Sequence, residues 1–112
     1  MILQAQDERS GMANPHRGEV SLTIAGAARL LRPTFTSLVA AEEELGPLFA
    51  LVERAAAGQL RLGEMAALFW HCLVERDAMT REMVGEAVTA QGLAACAKPL
   101  RALLAQILQG EG

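Results

Sequence analysis

The residues of this chain best equipped for chemistry lie within residues 60–75, LRLGEMAALFWHCLVE, where His71 adjoins Cys72 and Glu64 and Glu75 flank them. A helix advances about 100° per residue, which sets Glu64, His71 and Glu75 on one stripe. One imidazole and two carboxylates on a stripe are the start of a divalent-metal site. A metal has to be enclosed from several directions, however, and one helix rarely closes a site. The other histidine, His16, stands in a polar lead-in far from this stretch. The plainer reading is a solvated polar face, with a His71–Glu75 ion pair when the imidazole is charged. A Cys72 nucleophile with His71 as its base is excluded, because adjacent helical side chains diverge by about 100°. No catalytic residue, metal ligand or cofactor-binding residue is therefore assigned. A metal-binding or enzymatic small helical domain stays as an alternative that lacks convergent polar groups.

The same helix is apolar over more of its circumference than one core contact requires. Met65, Ala66, Leu68, Phe69, Trp70, Cys72, Leu73 and Val74 leave only the His71 stripe for water. Such a helix is either central in its domain or buried twice, once by its own fold and once by a partner. Ala67, Trp70 and Val74 form a strip separate from the one centred on Met65, Phe69 and Cys72, and they are the candidate protein-contact residues, with core as the competing role. Glu42, Glu43 and Glu44 fall near a helix C-terminus, where the macrodipole disfavours acids. They read as a solvated face, or else as a patch for a basic partner.

Composition limits the function classes. The chain has 112 residues, enough for one domain with a modest core, and 52% of them are hydrophobic against 21% charged. Ala and Leu dominate, which favours helices. A formal charge of −3 gives no electrostatic reason to bind phosphate backbones, so nucleic acid is not an expected ligand. No apolar run approaches the roughly 18 residues of a membrane span, and residues 1–12 lack the basic start and apolar core of a signal peptide. A soluble cytoplasmic protein is expected, with Cys72 and Cys96 as buried free thiols.

Along the chain, residues 1–17 read as a flexible N-terminal extension in which Met12 is an alternative start, and residues 18–109 as a single domain. Val20, Leu22 and Ile24 alternate with polar residues as a strand with one wet face. Ala25 and Gly26 invite a hairpin turn. A two-residue loop would set Arg29 opposite Leu22 on the apolar face, so a longer loop or a bulge is preferred. After Pro33, Thr34 caps a helix to about Leu45 with Phe35, Leu38 and Leu45 as its inward stripe. A second helix over 47–57 turns Leu48, Leu51, Val52 and Ala55 inward. The third takes Arg61 as N-cap, with Glu64 completing only half of a capping box. A fourth over 80–91 buries Met83, Ala87 and Val88. The last, 93–108, carries Leu93, Ala97, Leu100, Leu104, Ile107 and Leu108, and either begins near Lys98 or kinks at Pro99. The expected fold is α+β, mostly α: an N-terminal β-hairpin packed on a small bundle of four or five helices.

Three segments carry a resemblance: residues 12–36, MANPHRGEVSLTIAGAARLLRPTFT; residues 52–58, VERAAAG; and residues 63–73, GEMAALFWHCL. Together they resemble the gene transfer agent family of phage-type tail proteins, which is grouped with tail assembly chaperones and has also been labelled a tail tube protein. The likeness covers residues 12–108. Relatives place Asp before the turn glycine and Ser or Thr before the third helix, where this chain has Ala25 and Arg61. The resemblance implies a protein-binding factor in the assembly of a phage-like tail, of prophage origin, working in the bacterial cytoplasm as a chaperone that masks a tape-measure or tail tube subunit. The alternative it implies is a structural component of the finished tail or tail tube, with self-association open to either. It implies no catalytic or cofactor residue.

Overall fold

Val20, Leu22 and Ile24 are buried and alternate with Ser21 and Thr23, which makes β1 (Val20–Ile24) an amphipathic strand. In the computed structural model, which describes residues 19–110, β1 pairs antiparallel with β2 (Ala27–Leu31) in the register Leu22↔Arg29. The expected extension and alternative start at Met12 lie outside the described residues. Ala25 and Gly26 take φ of 53° and 81°, the two-residue turn whose twist matches that of the strands. The expected longer loop or bulge does not form, and Arg29 shares the apolar face, half-buried. A long cationic side chain tolerates this position because its methylenes cover apolar surface, although its Nε is buried without a hydrogen-bond partner.

Five helices follow: α1 (Phe35–Leu45), α2 (Leu48–Ala56), α3 (Leu62–Cys72), α4 (Arg81–Gln91) and α5 (Leu93–Gln109). The architecture is thus α+β, mostly α, with the hairpin at the N-terminal end of the described chain. Thr34 and Thr80 cap α1 and α4 by accepting the backbone N–H of Ser37 and Met83. At α3 the Glu64 carboxylate accepts the Arg61 backbone N–H at 2.9 Å, and a guanidinium has no acceptor to return the bond. Gly92, at φ 91°, turns the chain from α4 into α5 within one residue. α5 then runs unbroken through Pro99 instead of starting near Lys98. The carbonyl that loses its helical donor there belongs to Ala95, which is exposed to water.

α3 is the central element, with Met65, Ala66, Leu68, Phe69 and Cys72 in the core beside Leu22, Ile24, Leu31, Val84, Cys96 and Leu103. It stops at Cys72, three residues short of the expected end. Leu73 turns extended and bridges Leu31, so that Arg32 N–H donates to the Cys72 carbonyl at 2.7 Å and Val74 N–H to that of Leu30 at 3.0 Å. The open edge of a hairpin presents unpaired backbone groups, and satisfying them outweighs another half-turn of helix. Two inward stripes are also shifted from expectation. Phe35 is 84% exposed, and α1 buries Ala41 instead. Leu93 and Leu108 are about half exposed, while Leu100 and Leu104 are buried as expected and are joined by Cys96 and Leu103. In both helices the face is set by what packs against it, which periodicity alone does not identify.

Candidate contact surface around Trp70

Trp70 sits in the last turn of α3, half-buried against the core. Its Nε1–H donates to the Met79 carbonyl at 3.1 Å, which ties the connection between α3 and α4 to the helix it has just left. Two guanidinium groups lie over its ring, Arg81 at 4.7 Å and Arg76 at 5.2 Å from the centroid, within the range at which a cation is held by an indole face. The His71 ring meets it edge-on at 5.1 Å.

His71 is buried, and its Nε2 faces Glu44 Oε1 of α1 at 2.8 Å. Arg81, the first residue of α4, grips both Glu44 oxygens, Nη2 to Oε1 at 2.6 Å and Nη1 to Oε2. These bonds from Arg81, and then the one from His71, hold the Glu44 carboxyl down at about 2; Glu44 in turn raises the Arg81 guanidinium. A carboxylate can only accept, so Nε2 of His71 carries the proton between them. Nδ1 is buried without a hydrogen-bond partner. The cluster draws α1, α3 and α4 together at one point.

This arrangement corrects two readings of the sequence. His71 does not belong to a solvated stripe with Glu64 and Glu75: Glu64 instead binds Arg54 of α2 at 2.7 Å, and Glu75 lies beyond the end of α3. The acidic run is not uniformly a solvated face either, since Glu44 is engaged as above and Glu42 accepts the Leu48 N–H at 3.1 Å, capping the start of α2. One sequence signal pointed this way. Glu44 at a helix C-terminus and Arg81 at a helix N-terminus are each on the wrong end of a macrodipole, and two such residues of opposite sign are natural partners.

Of the contact strip, Ala67 is 4% exposed, Trp70 half-buried and Val74 51% exposed. The three do not form one helical strip, because Val74 follows the turn out of α3. Cys72 and Cys96 are buried and unpaired. Burial pushes the Cys72 thiol up to about 12, so it stays protonated. Among the described residues no three His, Cys, Asp or Glu side chains converge as a metal site, and no helix is long and apolar enough to cross a membrane.

The family model described as phage tail tube protein, GTA-gp10, matches residues 17–110. No curated protein and no solved structure matches the chain.

Proposed function

Because the chain belongs to the phage tail tube protein family, GTA-gp10, we propose that it is a structural subunit of the tail of a gene transfer agent or similar phage-like particle. The observation that carries this reading is the family match, which spans nearly all of the chain. The chemistry of the fold is consistent with it. The best-placed polar groups, Glu44, His71 and Arg81, are spent on joining three helices, and the thiol beside them is buried and protonated. Function then lies in contacts with other tail proteins, including further copies of this chain, and requires no cofactor and no catalysis. The subunit is made in the bacterial cytoplasm and carried into the particle. On the Trp70 side, the contact falls to the exposed part of Trp70 and to Val74, since Ala67 is already covered.

The test is quantitative mass spectrometry of purified particles beside the lysate of the cells that make them. A structural subunit is found in the particle in fixed proportion to the other tail proteins. A protein abundant in the lysate and absent from finished particles is instead an assembly factor of the chaperone type, whose cargo is a tape-measure or tube subunit.

A further inference from the structure

Helices α2 and α5 stand apart at the surface. Val52, Ala55 and Ala56 of α2 face Ala97, Leu100 and Leu104 of α5 across an open hollow. The hollow continues, through the shared Val52 and Leu108, to a second floored by Leu38, Leu48 and Ile107 and overhung by Phe49. Phe49 is 78% exposed and Leu108 53% exposed. A continuous apolar trough with two large side chains in water is more than scattered surface hydrophobicity, and marks a contact.

The two rims of this trough carry opposite charge. On α2 the exposed Glu53 follows the lining residue Val52 in sequence; on α5 Arg101 lines the trough and Lys98 stands one turn before it. All three are exposed, and among the described residues none of them forms an ion pair. The other charged groups nearby are already engaged, Arg54 by Glu64 and Glu42 by the Leu48 N–H. The surface therefore offers one anionic edge and one cationic edge along a common apolar floor.

We propose that this trough is where two copies of the chain dock, related by a two-fold axis running along the trough. A self-complementary contact places the same patch on both copies. With the axis along the trough, α2 of each copy lies over α5 of the other, so that Glu53 meets Arg101 and Lys98 twice. An axis across the trough would set like rims together, and like charges across an interface oppose association. The alanines on both walls allow close approach, and Phe49 and Leu108 of one copy fill the trough of the other. The inference rests on this surface alone. Absence of the protein from particles would defeat the tail reading and leave the dimer standing.

Sedimentation of the full chain over a range of concentrations and salt tests it, with circular dichroism confirming that each variant is folded. The expected result is a monomer–dimer equilibrium weakened by salt. Leu108→Glu, at a site that leaves the core untouched, weakens it by at least about tenfold, and Glu53→Lys and Arg101→Glu each by about tenfold. An equimolar mixture of the last two recovers the dimer, because each rim then faces its opposite again. A monomer at every concentration overturns the proposal and leaves the trough to a different chain. A dimer indifferent to Leu108→Glu places the contact elsewhere, and failure of the mixture to recover overturns the crossed arrangement.

Discussion

The end of the molecule where α3 meets α1 and α4 differs sharply from the side where α2 meets α5. At the first, Trp70 donates to the Met79 carbonyl, and His71 and Arg81 converge on the Glu44 carboxylate, so that three helices meet there with only His71 Nδ1 left without a partner. At the second, apolar side chains line an open trough, and the charges on its rims are without partners among the described residues. One region is completed by the chain itself, the other awaits another surface. The lesson is that burial of polar groups and exposure of apolar ones carry different information: the former records how the fold closes, the latter where closure is left to assembly.

Four measurements press on this contrast. The largest effect is expected at the completed end, where Phe69 is 0% exposed at the middle of the core. Phe69→Ala should cost about 3 to 5 kcal/mol, a large fraction of what a domain of this size possesses, and chemical denaturation should register it as a collapse of the folded baseline. Next comes Glu44→Ala, which strips the partner from a buried imidazole N–H and from Arg81; a loss of about 1 to 3 kcal/mol is expected. Glu44→Gln, which keeps an acceptor, should lose less, and equal losses would show that charge alone matters there.

The third is acid titration of stability. Glu44 is held at about 2 in the fold against an ordinary 4.5, so its contribution is fully present above pH 4.5 and is lost as pH falls from there toward 2. Its side chain is 36% exposed, and solvent screening reduces the amount to about 1 kcal/mol. Melting curves of the wild type and of Glu44→Gln should therefore draw together as pH falls below 4.5 and converge only near pH 2, and a constant gap between them would remove the ion pair from the account. The smallest effect belongs to the unfinished side. Phe49→Ser should alter the stability of the monomer by no more than about 0.5 kcal/mol. A substantial loss there would mean that α2 already packs as tightly as α3.

What could be read from the sequence was local. Thr34 and Thr80 announce helix starts, and Gly46 and Gly92 helix ends, because a cap is a bond between residues three or four apart. The alternation of Val20, Leu22 and Ile24 fixed a strand, and the bias toward Ala and Leu fixed a helical body. The inner face of α2 was legible for the same reason, since Leu48, Leu51, Val52 and Ala55 repeat at helical spacing. The contact strip was only partly legible: Trp70 and Val74 do reach the surface, but their membership of one helix depended on where α3 ends, and that was settled by the edge of β2.

The sequence by itself determined the element order, most of the caps and the dominance of helix, because each follows from forces acting within about one turn of chain. Tertiary structure alone decided that Arg29 lies opposite Leu22, that Phe35 faces water, and that His71 is enclosed. The reason is separation along the chain. Glu44 and Arg81 are 37 residues apart, and nothing short of the packed helices brings a misplaced acid to a misplaced base. The same holds for the trough, whose two walls come from α2 and α5 and become a surface only when both are set on the common core.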